Sequence, residues 1–230
     1  WRFACSGKTV LVIGCATGNN ECRRFVEFGA KEVHGVDIAK DIGCKFSHPR
    51  VKYCRTSAES LGLSSDQYDI VYCQATLEHI SRISLALAEA VRVTKRGGYI
   101  YCVASPLWHS MHGHHQPHIF GGFPWIHLRL QEKEILEYCR RHNLRDSDGT
   151  VIGERSISYM LSENHFNKLP ARDYVETCQR LPGVRLLYNQ LEMGNEEELT
   201  PEICSELTRH GYTRQELLAT THRLLARKNP

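Results

Sequence analysis

Val10-Leu11-Val12-Ile13-Gly14-Cys15-Ala16-Thr17-Gly18 is the stretch that decides the fold. Four apolar residues, three of them β-branched, run straight into a glycine. So short and unbroken an apolar run reads as a strand buried on both faces of a parallel sheet. Glu21 to Phe28 then carries a helical apolar period and is closed by Gly29. Strand, glycine turn and helix make the first half of a βαβ unit. Asp37 follows Gly18 by 37 − 18 = 19 residues, at the end of the next apolar run. In a doubly wound sheet ligands bind outside the carboxyl ends of the strands. Glycines there let the backbone approach a ligand closely, and the helix start offers free N–H groups. A carboxylate at the second strand end can accept two hydrogen bonds from a ribose diol.

The alternation continues outward. Val33-His34-Gly35-Val36-Asp37, Val51-Lys52-Tyr53-Cys54 and Tyr68-Asp69-Ile70-Val71-Tyr72-Cys73 read as strands two to four. Ile83, Leu87 and Val91 recur every four residues and predict a helix with one apolar face. Gly97-Gly98 is expected to break that helix, with Tyr99 to Ala104 as strand five. After Ser105-Pro106 the rhythm stops. Residues 107–127 show no period, and so long a loop within a compact domain is usually functional. Leu130 to His142 reads as a helix, 146–169 as irregular, Arg172 to Leu181 as helix, Val184 to Leu191 as strand, Thr200 to His210 as helix and Thr220 to Ala226 as a last strand. Gly194 to Glu198 reads as a solvated loop. The expected architecture is α/β: a doubly wound, mostly parallel, Rossmann-like sheet with a His-rich lid inserted after strand five. The 1–230 domain divides into a cofactor-binding half (1–105), an inserted substrate lid (106–170) and a C-terminal part completing the sheet (171–230).

Composition bounds the function. With 41% hydrophobic and 24% charged residues, the 230-residue chain is neither disordered nor fibrous. A net charge of +3 is too weak to argue for nucleic acid or an anionic membrane as partner. No apolar run approaches the ~20 residues of a membrane helix, and no secretory leader is evident. The ten cysteines form no Cys-x-x-Cys pair and lie mostly in apolar segments, so they read as reduced, buried residues of a cytoplasmic protein. The start at Trp1 suggests a domain of a longer polypeptide or a trimmed chain.

The turn is not a dinucleotide fingerprint, because Ala16 stands at the middle glycine of G-x-G-x-x-G. Residues 10–18 instead resemble motif I of the class I S-adenosylmethionine-dependent methyltransferases. His34-Gly35-Val36-Asp37 resembles the second motif, and Ser57-Ala58-Glu59-Ser60-Leu61 the loop bordering adenine. Tyr68-Asp69-Ile70-Val71 with Thr76-Leu77-Glu78-His79-Ile80 resembles the fourth strand and its Leu-Glu-His segment. Arg92-Val93-Thr94-Lys95-Arg96-Gly97-Gly98 resembles the turn before strand five. The five blocks stand in the family's order over Lys8 to Ala104 and look like the small-molecule, quinone-biosynthesis type. The resemblance implies that the backbone of Gly14, Cys15 and Gly18 lines the methionine part of S-adenosylmethionine, Asp37 holds ribose, Ser57 and Ala58 border adenine, and Gln74 faces the amino-acid moiety. Two positions depart from the family's pattern. Val12 replaces an acid in the first strand. Ser57 replaces an Asp at the adenine amino group, where a neutral hydroxyl is the weaker acceptor.

Five of the 13 histidines fall between His109 and His118, directly after strand five. Methyl transfer to a hydroxyl needs the proton removed, and histidine suits neutral pH. His114 or His115 is therefore expected as base, with His79 beside the transferring methyl. Trp108, Trp125 and His118 are expected to line the acceptor pocket. His112, His114 and His118 match no closed zinc spacing and carboxylates are lacking, so no metal is expected. The expectation is O-methylation of a small molecule. The alternatives are N- or C-methylation, or a non-catalytic cofactor-binding module of a larger assembly.

Overall fold

The computed structural model describes residues 2–230. Helix α1 (Arg2–Cys5) leads into β1 (Thr9–Ile13), α2 (Glu21–Glu27), β2 (Glu32–Asp37), β3 (Val51–Arg55) and β4 (Tyr68–Gln74). A 3-10 turn at Leu77–His79 precedes α3 (Ile83–Val93) and β5 (Thr94–Ala104). Then come α4 (Pro117–Phe120), α5 (Ile126–Arg129), α6 (Glu132–Arg141), α7 (Glu154–Met160) and α8 (Ala171–Gln179). The chain closes with β6 (Val184–Met193), a 3-10 turn at Glu196–Glu198, α9 (Pro201–Arg209), α10 (Arg214–Leu218) and β7 (Ala219–Lys228).

The seven strands form one sheet in the order β3-β2-β1-β4-β5-β7-β6. The four pairings from β3 to β5 are parallel. The chain winds from β1 outward through β2 and β3, then returns to β4 on the other side of β1. That reversal is the switch point of a doubly wound sheet, where strand ends splay and leave a crevice. β1 lies between two parallel neighbours, and Val10, Leu11, Val12 and Ile13 are all buried. α2 adds Cys22, Phe25 and Val26 to the same core.

Gly97 and Gly98 do not end the helix, as expected from the sequence. α3 stops at Val93, and β5 runs through both glycines. Pairing with β4 slips there: Tyr68 faces Thr94 but Ile70 faces Tyr99. A Cβ on Gly98 would stand 2.9 Å from the Asp69 carbonyl oxygen, so the glycine serves close strand packing. The stripe on α3 is Ile83, Ala86, Leu87, Ala90 and Val93, with Val91 only half-buried. The aperiodic 107–127 stretch contains α4 and α5, each a single turn and too short to show a period. The irregular 146–169 stretch contains α7, which buries only Ile157 and Met160.

The chain divides into two compact units. One comprises the chain to Ala104 with Val175–Gln190 and Arg223–Pro230; the other comprises Ser105–Tyr174 and Leu191–His222. The C-terminal part expected to complete the sheet is thus split, because 191–222 groups with the segment that follows β5. The second unit has apolar clusters of its own. One gathers Phe120, Ile126, Ile135, Leu136 and Ile157, the other Trp125, Leu199, Leu207, Leu217 and Leu218. All ten cysteines are free, and seven are buried. Among the described residues no helix is long and apolar enough to cross a membrane.

Leu11 sits at the centre of the sheet with no exposed surface. Leu11→Ala is expected to cost about 3 kcal/mol in urea unfolding. Leu187→Ala, at a position 44% exposed, should stay within about 0.5 kcal/mol of the parent. Equal effects would mean that the sheet centre does not carry the stability.

Candidate functional site

The carboxyl ends of β1, β2, β3 and β4 converge on one side of the sheet, because all four strands are parallel. Gly14 leaves β1 at φ +75°, and its N–H and that of Cys15 both reach the Val36 carbonyl, at 2.9 and 3.2 Å. Asp37 ends β2 and ties the crevice together. Its Oδ2 accepts from the Ala16 N–H at 2.8 Å, and its Oδ1 accepts from the Ala39 N–H at 2.9 Å. Each oxygen retains a further lone pair for a diol. The Ala16 and Thr17 carbonyls accept from Gly43 and Lys45 at 3.0 and 3.1 Å, which fixes the far side of the turn.

The glycines have a second role that their spacing did not reveal. A Cβ on Gly14 would lie 2.0 Å from Thr76 Oγ1, and one on Gly18 would lie 2.1 Å from the Tyr53 hydroxyl. The Tyr53 ring also fills the space against Gly35 and Gly43. Cys15 presents only its backbone to the crevice. Its side chain is buried, and the bond with Cys22 together with burial pushes the thiol upward, keeping it protonated.

Sequence reasoning missed Ala16 and Ala75 as special positions. Both are exposed non-glycine residues in the left-handed region, at φ +44° and +48°. They follow β1 and β4, the two strands that flank the switch point. Left-handed alanine costs on the order of 1 kcal/mol, and such strain persists where surrounding bonds enforce it. The Ala16 N–H is enforced by Asp37, and the Ala75 N–H by the Val103 carbonyl at 2.9 Å.

Ser57 is exposed, and its Oγ accepts from the Glu59 N–H at 3.2 Å, leaving its hydroxyl hydrogen available. Ala58 is half-buried beside it. Glu59 accepts from the Arg82 N–H and Nε, and Glu89 accepts from the Leu61 N–H, so this loop is anchored at both ends. Gln74 is exposed at the end of β4, but its Oε1 accepts from the Tyr72 hydroxyl at 2.6 Å. It lines a cleft of about 230 Å³ with Tyr72, Tyr101 and residues of α2. The Asp37 carboxylate and the Ser57 hydroxyl suit an adenosyl group. Beside Gly14 a ligand would meet the Thr76 side chain rather than an open glycine.

His79 closes the 3-10 turn after β4 and is half-buried. The other proposed histidines lie in the second unit. His114 is buried, and its Nδ1 accepts from the Gln116 N–H at 2.9 Å. The ring's hydrogen therefore sits on Nε2, and neither nitrogen is open to accept a proton or a metal. Burial, with neighbouring imidazoles, pushes its pKa down to about 2. His127 donates from Nε2 to the Trp108 carbonyl at 2.7 Å and is pushed down to about 3 by burial. His115 differs: it is half-buried, and its Nε2–H donates to the Pro106 carbonyl at 2.9 Å. His118 is half-exposed, 3.5 Å from Asp146.

Trp108 is buried against His127 and Phe166, so it acts as a core residue. Trp125 is buried too, at φ +54°, and its Nε1 donates to the His109 carbonyl at 3.1 Å.

A family model described as a methyltransferase domain matches residues 11–102. A ubiquinone biosynthesis O-methyltransferase of Methylococcus capsulatus is 28% identical over 103 residues, which is 42% of this chain and 43% of that protein. The chain thus spans less than half the length of this curated relative. An S-adenosylmethionine-dependent methyltransferase from Mesorhizobium loti superposes at a TM-score of 0.60, with 14% identity, over 98% of this chain and 93% of that one. The [4+2]-cyclase SpnF superposes at 0.50, with 17% identity, over 97% of this chain and 75% of its own. Such distant structures share the fold alone.

The buried histidines carry a pH dependence. His114, His127 and His222 are held by burial at about 2, 3 and 4, against about 6.5 when unfolded. Below pH ~6.5 the unfolded chain binds protons that the folded one refuses, so stability falls on acidification. Each histidine contributes a slope of up to about 1.4 kcal/mol per pH unit until its folded pKa is reached. The melting temperature should therefore drop from pH 6.5 to 4.5, and His114→Leu should flatten that slope whatever its absolute stability. An unchanged slope would mean that His114 is charged in the folded protein.

Proposed function

We propose that the chain, whose residues 11–102 match a methyltransferase domain, is a class I S-adenosylmethionine-dependent methyltransferase that methylates a hydroxyl of a small-molecule acceptor, with a histidine taking the hydroxyl proton. When bound, S-adenosylmethionine supplies an electrophilic methyl on a sulfonium. The observation that carries the reading is the Asp37 carboxylate. It orders the turn after β1 through the Ala16 N–H and keeps lone pairs for a ribose. The backbone of Gly14, Cys15 and Gly18 would hold the methionine end, Ser57 and Ala58 the adenine, and Gln74 the amino-acid moiety through the amide hydrogens that Tyr72 leaves available.

His115 is the better base of the two expected. Its Nε2–H is fixed on the Pro106 carbonyl. That bond orients the ring and favours proton acceptance at Nδ1, by the logic that a second partner sets a histidine's tautomer. His114 accepts from the Gln116 N–H at Nδ1, so its role is to hold the Gln116 backbone. His79 contributes from the turn after β4. The relative's ubiquinone-pathway chemistry supports an O-methylation. An amine or carbon acceptor would need little help from a histidine base.

Two variants separate cofactor binding from proton transfer. Asp37→Ala is expected to weaken S-adenosylhomocysteine binding at least tenfold by calorimetry, on the order of 1.4 kcal/mol. His115→Gln is expected to lower turnover about 10²-fold or more with that binding intact. Full turnover in His115→Gln would point to an acceptor that needs no deprotonation. Undiminished binding in Asp37→Ala would remove the cofactor assignment.

A further inference from the structure

One side chain that no motif marks meets three glycines at once. Tyr53 stands on β3, directly across from Gly35 of β2. A Cβ on Gly35 would lie 2.8 Å from the Tyr53 ring. A Cβ on Gly43 would lie 2.4 Å from the same ring, and one on Gly18 would lie 2.1 Å from its hydroxyl oxygen. Glycine inside a strand often marks the close approach of another group. Here the turn after β1, the middle of β2 and the loop after β2 all give way to one ring.

The hydroxyl does more than fill space. It donates to the Phe46 carbonyl at 2.8 Å. Burial pushes the phenol pKa upward, so the group stays protonated and keeps its donor. Phe46 closes a short turn, its N–H reaching the Gly43 carbonyl at 3.2 Å. From that turn the Gly43 and Lys45 N–H groups donate to the Ala16 and Thr17 carbonyls. The Ala16 N–H in turn donates to Asp37. A series of bonds therefore runs from the edge strand to the carboxylate that shapes the crevice.

We infer that Tyr53 is a positioning residue for S-adenosylmethionine: its ring and hydroxyl hold the 43–46 turn against residues 16–18 and so keep the crevice beside Asp37 in its binding shape. Tyr53 acts through that turn and not by contact with the cofactor. The inference rests on the reading of this crevice as the cofactor site and adds to it a residue outside the five motif blocks.

Tyr53→Phe removes the hydroxyl and keeps the ring. Tyr68→Phe is the matched control, because the Tyr68 hydroxyl bonds to His34 Nδ1 at 2.6 Å and Tyr68 opens β4, at the end remote from the crevice. Calorimetry with S-adenosylhomocysteine is run below the melting transitions of both variants. Tyr53→Phe should bind about fivefold more weakly than the parent, and Tyr68→Phe within about twofold of it. Amide hydrogen exchange supplies a readout in the free protein: Gly43 and Lys45 should exchange about tenfold faster in Tyr53→Phe and unchanged in Tyr68→Phe. A tyrosine with only a packing role would lower the melting temperature and move neither quantity. Equal affinities in the two variants, or unchanged exchange at Gly43 and Lys45, would overturn the inference and leave the cofactor site standing. A parent chain that does not bind S-adenosylhomocysteine would overturn the cofactor reading and this inference with it.

Discussion

Two hydrogen bonds accepted by the Asp37 carboxylate hold the crevice in shape. Parallel strands leave their ends without partners, and the chain must turn back from each one. At β1 the turn passes through Gly14 and Ala16, both at positive φ. Glycine reaches that region at little cost, but alanine does not. The Ala16 N–H would be an orphan without the carboxylate, and the Ala39 N–H is fixed by the same group. One side chain thus couples the end of β1 to the segment after β2. A residue that grips a ligand needs the same rigidity, so the ribose contact proposed for Asp37 would fall on a side chain already fixed by the backbone. The backbone bonds occupy only part of the carboxylate's lone pairs.

The parallel core was the most legible feature of the sequence. Val10 to Ile13 reads as a doubly buried strand, and burial of all four residues follows from the β2 and β4 neighbours. Asp37 at the end of β2 was equally legible, because the apolar run ends where the carboxylate begins. Gly97 and Gly98 misled, since a glycine pair reads as a stop. Gly97 sits at φ +73°, and the reason for Gly98 lies in the Asp69 carbonyl, which comes too close for any side chain. That constraint joins residues far apart in sequence and leaves no local signal. Gly18 is similar: its Cβ is forbidden by Tyr53, from another strand. The single-turn helices α4 and α5 were invisible because four residues cannot display a period.

The histidine cluster shows how composition and environment diverge. Its density after β5 suggests basic catalysis, but basicity depends on the cost of placing charge. His114 and His127 are buried among other imidazoles and apolar rings, where protonation is expensive. They act as neutral donors and acceptors to backbone groups at Gln116 and Trp108. Such rings organise a segment that lacks regular structure, since a loop must find partners for its backbone polar groups. His115, by contrast, is half-buried, with one nitrogen fixed by the Pro106 carbonyl. Sequence gives neighbours equal weight, and burial separates them.

The second unit shows why a fold so readily recognised says little about what is transformed. Its two chain segments, Ser105–Tyr174 and Leu191–His222, build their own apolar clusters. Arg129 on α5 pairs with Glu206 on α9, and Leu107 bonds to the Thr220 carbonyl, so the two segments are joined to each other. A unit with an independent core can change its lining residues without disturbing β1 or Asp37. The fold is shared with proteins as different in chemistry as a methyltransferase and a [4+2]-cyclase. Selectivity then follows from residues that no strand pattern constrains.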